Sequence, residues 1–305
     1  MAKRILNVET GGPRLDAFLA KFLGGYTRVF LKDLIAAGHV AVNGVTRDAD
    51  DRVEEGDRVT VTLPELAPVA GTDFESWVLF EDKRLMVLNK PTGLLMHPLG
   101  SSWLISPEAA RAENHENLAA LLQVHRPAIL KAKTPRCGIV HRLDRPTSGV
   151  LVVAKDPEVY AALCAGFKAR EMEKTYRAIV RGEMEGKSRI DAPIGRVPGA
   201  RKIVVTSLGK PAETAFKVVS KKKGAALVEA MPLTGRTHQI RAHLAHMGHP
   251  VMGDSEFDRP GPGQPVAPRL MLHAYKLLFE HPISGRPAMF TAEPPKDFTT
   301  FWKSL

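Results

Sequence analysis

The 305-residue sequence predicts an α+β protein built in two parts, and three observations carry that expectation. Residues 1–64 hold two amphipathic helical stretches and a hairpin, enough for a small αα-hairpin-type module. Residues 76–305 interleave short apolar strand-like runs with amphipathic helices, which suits a sheet with helices packed on it. Residues 65–75, with Pro68 and Gly71 among them, have the composition of a linker.

The elements follow in order. Leu15, Phe18, Leu19 and Phe22 recur at helical spacing over 13–24. Phe30, Leu31, Leu34 and Ile35 mark a second helix over 27–37, which Gly38 stops. The alternating run 39–45 contains Asn43-Gly44, a strong hairpin signal, and Asp57–Leu63 alternates again. Beyond the linker, 77–80 and 85–89 are apolar strand candidates, followed by the turn Lys90-Pro91-Thr92-Gly93. Residues 99–117 are small or polar and read as an irregular surface excursion. Gly138-Ile139-Val140 and Val150–Ala154 read as two buried strands around a polar loop. Asp156-Pro157 supplies a cap and a first-turn proline for a helix carrying Val159, Leu163 and Phe167. Lys174–Val180 is a strand halted by Gly182.

Composition excludes several classes. An apolar fraction of 44% and a charged fraction of 25% are those of an ordinary soluble globular chain. Two cysteines, Cys137 and Cys164, rule out a disulfide scaffold and favour a reducing compartment. Neither a signal peptide nor an apolar run of membrane-spanning length is evident, so the cytoplasm is the expected location and no membrane partner is expected. The net charge of +10 is unevenly spread. Residues 1–64 hold nine basic and nine acidic side chains, whereas 168–223 hold fifteen against six. That excess favours a polyanionic partner, although a basic surface also serves solubility alone.

Three segments carry candidate chemistry. In His141-Arg142-Leu143-Asp144-Arg145-Pro146-Thr147-Ser148-Gly149, polar residues stand between two runs that seek burial. A loop so anchored aims a carboxylate with little freedom, and the flanking Arg142 and Arg145 favour its ionised form. The bland reading of Asp144 is a turn residue bonded to its own backbone. In Leu233–Pro250, Thr237 is the expected cap of a helix with Ile240, Leu244 and Met247 inside and Gly248 at its end. That register leaves Arg241 partly desolvated, suited to gripping a carboxylate bidentately. The histidines of this segment lack the partners and spacing of a zinc site, so no metal is expected. Tyr176 lies on the third segment, where a tyrosine on a half-apolar strand is ordinarily core. No phosphate-cradling glycine loop occurs, and no cofactor is expected.

Taken together, these stretches resemble the pseudouridine synthase family that modifies uridines of large-subunit ribosomal RNA and some transfer RNAs. Five motifs agree in order: Asn89–Gly93 with His97-Pro98, Gly138–Asp156, Lys174–Ala178, Asp191–Arg196 and Gly235–Asp254. Residues 1–64 are similar to the small alpha-L RNA-binding domain first seen in a ribosomal small-subunit protein. The resemblance implies a mixed, mostly antiparallel sheet with a central active-site cleft and flanking helices, over 76–305. It also implies roles. Asp144 would be the carboxylate that initiates cleavage of the glycosidic bond, through the sugar, the base or a ribose proton. Tyr176 would stack on the uracil and assist a proton step, and Arg241 would pair with Asp144 and keep it charged and oriented. Arg142 would fill the space left by the flipped nucleotide, and Leu272 would line the uracil pocket. The implied partner is RNA, ribosomal before transfer RNA, acted on by a monomer without cofactor. A flipped uridine costs a few kcal/mol, which phosphate contacts from 168–223 would offset.

The sequence departs from the family pattern at Arg145-Pro146, which stiffens the loop after Asp144, in the length of the 99–117 excursion, and at Thr27-Arg28. The competing reading is a non-catalytic RNA-binding or ribosome-assembly protein that keeps the fold. Such a protein has no need for Asp144, Tyr176 and Arg241 together.

Overall fold

The computed structural model describes residues 2–23, 28–63, 73–98, 116–197, 199 and 202–305. Most of the 65–75 linker, the excursion over 99–115 and Thr27 lie outside the described residues. By internal contacts the chain forms two compact units, Met1–Phe74 with Leu95–Cys137, and Glu75–Leu94 with Gly138–Leu305.

In the first unit, α1 (Leu15–Phe22) and α2 (Arg28–Ala36) appear where the periodicity puts them. Leu15, Phe18 and Leu19 are buried, but Phe22 is 45% exposed and leans on the Phe18 ring at 4.7 Å. The hairpin is β2 (Val40–Val42) and β3 (Val45–Thr46), with Asn43 and Gly44 both at positive φ. The alternating run becomes β4 (Arg58–Leu63). One strand has no counterpart in the sequence reading: β1 (Ala2–Asn7) pairs antiparallel with β4, giving the order β1-β4-β2-β3. Two further helices, α3 (Leu118–His125) and α4 (Ala128–Lys131), were likewise not expected; the Asn117 side chain caps the first at Ala120 N, 2.9 Å.

The second unit is built on one nine-stranded mixed sheet. Its strands are β5 (Val78–Glu81), β6 (Leu85–Lys90), β7 (Ser148–Ala154), β8 (Glu173–Arg181), β9 (Lys187–Asp191), β12 (Glu213–Lys222), β13 (Ala225–Pro232), β14 (Leu272–Glu280) and β15 (Pro287–Thr291). A separate pair, β10 (Ile194–Arg196) and β11 (Ile203–Val205), stands beside it. The order is β5-β6-β7-β14-β8-β13-β12-β9, with β15 also on β14. Every pairing in it is antiparallel except β7 with β14. This is the α+β class the sequence predicts, with the mixed, mostly antiparallel sheet that the family resemblance implies.

Helix α5 (Pro157–Ala169) begins at its predicted cap, Asp156 accepting from Glu158 N and Val159 N at 3.0 and 3.1 Å. It lays Val159 and Leu163 on β6 and β7. Helices α6 (Gln239–His246) and α7 (Lys296–Ser304) bury Ile240, Leu244, Phe298 and Phe301 in the core around β8 and β13.

One expected strand is absent. Gly138–Val140 makes only the isolated bridge Ile139–Val153, because β6 takes one edge of β7 and β14 takes the start of the other. The parallel contact also explains Gly149. At φ +116, any Cβ there would run into the Ala274 backbone of β14.

Candidate active site

Two walls face each other across a cavity of about 560 Å³. One is the loop from Val140 to Thr147, entering β7; the other is the segment Pro232–Arg241, leaving β13 and entering α6. Tyr176 on β8 and Leu272 on β14 lie between them, because β8 pairs with both β13 and β14. Asp144, Tyr176, Arg241, Arg142 and Leu272, distant in sequence, therefore line one space.

The Asp144 loop is stapled to the turn after β6. Gly93 N donates to Arg145 O at 2.8 Å, Arg145 Nε to Gly93 O at 3.0 Å, and Thr92 Oγ1 to Pro146 O at 2.9 Å. Lys90 completes the staple from inside. It is 1% exposed, and its Nζ donates to Pro91 O at 2.9 Å and Arg145 O at 3.3 Å. Burial lowers its pKa to about 7, against the opposing pull of Asp144. Arg145 is thus spent on the turn and does not face Asp144, whereas Arg142 is exposed on the cavity wall. His141 holds the other end: its Nε2 accepts from Val152 N at 3.0 Å, its ring stacks on Phe167, and burial drives its pKa down to about 3.

A side-chain network holds the opposite wall. Every proton in it has a direction if His243 Nε2 donates to Ala192 O at 3.0 Å. Nδ1 then accepts from Thr214 Oγ1 at 2.8 Å, freeing that oxygen to accept from Gln239 Nε2 at 3.0 Å. Gln239 Oε1 accepts from Thr234 Oγ1 at 2.7 Å and Arg236 N at 2.9 Å. The expected cap Thr237 is not used. The N-cap is His238, in the left-handed region at φ 56°, and Gln239 takes over the role of satisfying the preceding backbone.

Arg241 is buried, at 4% exposure, more deeply than its register implies. Its bidentate partner is Asp254, with Nε–Oδ2 at 2.5 Å and Nη2–Oδ1 at 2.7 Å, and Nη2 also reaches Glu256 Oε1 at 3.1 Å. Only Nη1 turns to Asp144, 3.7 Å from Oδ2. That is an ion-pair distance and too long for a hydrogen bond. Burial disfavours the guanidinium charge, but Asp254, then Asp144 and Glu256, outweigh it and raise the pKa. Asp144 consequently faces one guanidinium nitrogen at ion-pair distance, with both oxygens free of hydrogen bonds to Arg241. Tyr176 is kept protonated, its phenol pKa pushed up by burial and then by the Asp144 charge.

Sequence reasoning missed three residues here. Lys90 was read only as part of a turn. Asp254 enters the sequence reading only as the end of the Gly235–Asp254 motif, not as the clamp on Arg241. His238 lines the cavity with Nε2 3.9 Å from Asp144 Oδ2 and Nδ1 3.4 Å from Glu256 Oε1. Its position inside the Gly235–Asp254 motif was the one available signal. The cavity rim is cationic: Arg142, Lys168, Arg170, Lys174 and Arg236 all contribute.

Known proteins divide the chain in a similar way. A family model described as RNA pseudouridylate synthase matches residues 84–246, and one described as S4 domain matches 13–59. The ribosomal large subunit pseudouridine synthase D of Nitrosomonas europaea is 34% identical over 304 residues, 96% of this chain and 85% of that protein. Its namesake from Zymomonas mobilis is 36% identical, spanning 98% of this chain and 96% of its own length. The solved structure of human RNA pseudouridylate synthase domain containing 1 matches with a TM-score of 0.55 at 26% identity, covering 72% of this chain and 83% of that one. With a family match over more than half its residues and relatives at about one-third identity along nearly its whole length, the chain belongs to the RNA pseudouridylate synthase family.

Proposed function

We propose that this protein isomerises uridine to pseudouridine in large-subunit ribosomal RNA, with Asp144 as the carboxylate that initiates cleavage of the glycosidic bond. The observation that carries the proposal is the convergence of Asp144, Tyr176 and Arg241 on one cavity, the cleft in which the flipped uridine is held. Arg241, clamped by Asp254, holds one guanidinium nitrogen beside Asp144 without occupying its oxygens, so the carboxylate stays free to meet the nucleoside. Tyr176, a neutral phenol, stacks on the uracil and donates a hydrogen bond. Leu272 closes the pocket, and the exposed Arg142 fills the gap left in the RNA helix. The cationic rim binds phosphates on either side of the extruded nucleotide, offsetting the few kcal/mol that flipping costs.

Residues 1–64 act as the RNA-binding domain, joined through 65–75 to a catalytic domain over 76–305. The ribosomal target is supported by the names of the relatives and by the S4 match. The protein works as a monomer in the cytoplasm, without a cofactor, since isomerisation needs no redox change.

Ribosomal RNA tritiated at carbon 5 of uracil tests the reading. Tritium release by wild type is expected, with Asp144→Asn at least about 10⁴-fold slower, the order of loss when a nucleophile or its activating partner is removed. Release by the variant at a comparable rate would remove Asp144 from the chemistry.

A further inference from the structure

Asp144 shares its turn with a second polar group. Thr147 N donates to Asp144 O at 3.0 Å, closing a turn whose ends lie within about 7 Å of each other. Both residues line the cavity. Thr147 is 2% exposed, and its Oγ1 is buried with no hydrogen-bond partner among the described residues. A hydroxyl left in that state destabilises the fold, because it has lost water and found no replacement.

The polar groups around it are otherwise engaged. Ser148 Oγ bonds His273 Nδ1 at 2.9 Å, Thr92 Oγ1 donates to Pro146 O, and the Lys90 amine reaches Pro91 O and Arg145 O. Across the cavity the other buried threonine, Thr234, gives its hydroxyl to Gln239 Oε1 at 2.7 Å. The pleat sets the direction of Thr147. Ser148 pairs with His273, which pairs with Arg177, so these three share one face of the sheet. Gly149, Ala274 and Tyr176 share the other. Alternation puts Thr147, one residue before Ser148, on the Tyr176 face.

We propose that Thr147 is a specificity-determining residue whose hydroxyl bonds the ribose 2′-hydroxyl of the uridine held in the cavity. The inference rests on the reading given above, in which Asp144 works at the glycosidic bond while Tyr176 stacks on the uracil. A group in the same turn as Asp144 then faces the sugar, not the far edge of the base. Of the polar groups beside C1′, only the 2′-hydroxyl both donates and accepts, as Thr147 does. It also stays on the ribose while nitrogen 1 leaves C1′, the uracil turns and carbon 5 takes its place. Holding it keeps the sugar fixed through that turn, and it makes the site answer to RNA and not to DNA.

A cycle that alters enzyme and substrate together tests the assignment. A stem-loop of large-subunit ribosomal RNA that wild type modifies at one uridine is made with ribose, 2′-deoxyribose or 2-thiouracil at that position. Single-turnover rates at subsaturating full-length protein are compared. Thr147→Val keeps the shape and removes the hydroxyl, so its urea midpoint should be unchanged or higher. Its rate on the ribose substrate should fall about tenfold, the effect of one good hydrogen bond. The 2′-deoxy change should then slow Thr147→Val about tenfold less than it slows wild type, and Thr147→Ser should keep the wild-type ratio. If the valine variant fails to fold, Thr147→Ala against Thr147→Ser gives the same comparison.

Equal 2′-deoxy penalties in wild type and variant overturn the proposal, as does a Thr147→Val enzyme at wild-type rate. A marked fall in urea midpoint overturns it too, since the hydroxyl would then be satisfied within the fold. Coupling that appears with 2-thiouracil instead assigns the hydroxyl to the base and has the same result. Equal penalties beside an inactive Asp144→Asn sink this inference alone, whereas an active Asp144→Asn sinks the reading beneath it.

Discussion

In the amino-terminal helices one buried carboxylate, Asp16, gathers three cations; beside the cavity one buried guanidinium, Arg241, gathers three carboxylates. Asp16 lies 3.2, 3.0 and 3.5 Å from Arg14, Arg28 and Lys32. Arg241 lies 2.5, 3.1 and 3.7 Å from Asp254, Glu256 and Asp144. The two clusters are near inversions in charge but not in solvation. The partners of Asp16 are 37–53% exposed, whereas Asp254 is fully buried and Asp144 is 19% exposed. The first centre organises charges that remain in water, on a face suited to phosphates. The second has the wholly buried Arg241–Asp254 pair at its centre, with Glu256, 32% exposed, and Asp144 at the cavity edge.

The contrast is tested most severely by removing each centre. Arg241→Met abandons Asp254 in the interior, so urea melts should show a loss of about 3–5 kcal/mol, with tritium release abolished. Adding Asp254→Leu should return much of the stability and none of the activity. A loss below about 1 kcal/mol would mean the cavity cluster behaves like a surface pair, and the distinction would collapse.

Acid gives a smaller effect. Burial opposes the Asp16 charge, but hydrogen bonds from Arg28 and Arg14 prevail and lower its pKa from 3.8 to about 2. Above pH 3.8 both folded and unfolded chains keep this carboxylate charged, and its stabilisation is complete. Between 3.8 and about 2 the unfolded chain takes up the proton first, so the contribution drains away as pH falls. At most about 2 kcal/mol is at stake, less in salt because the partners are solvated. Hydrogen exchange of the α1–α2 amides against pH should show this slope in wild type and not in Asp16→Asn.

The smallest effect is the most discriminating. Asp16→Asn makes the protein more positive, and simple charge attraction predicts tighter RNA binding. If Asp16 instead sets the geometry of three cations, affinity should fall about threefold, roughly 0.6 kcal/mol, when measured at fixed salt.

Legibility in the sequence followed the range of the interactions. Asp144 and Arg241 stand in dense local motifs, and α1, α2, α5 and β8 declare themselves by period, caps and stops. The Ala2–Asn7 strand does not: two adjacent basic residues interrupt its alternation, and its order comes from pairing with Arg58–Leu63, far along the chain. Lys90 ends an apolar run and would ordinarily be solvated; only the fold shows the two carbonyls that receive its amine. Thr237 looked like the better cap by residue type, yet Gln239 reached farther. Nothing in a histidine codon announces a positive φ, so the placement of His238 was out of reach.

The parallel contact of β7 with β14 has a consequence in time. Ser148 Oγ bonds His273 Nδ1 across 125 residues, and the strand that carries the end of the Asp144 loop gains its second neighbour only there. Closing a loop of that length costs on the order of 4 kcal/mol before any contact repays it. During synthesis, then, the strand that carries the end of the Asp144 loop waits for about 125 further residues before its second neighbour exists.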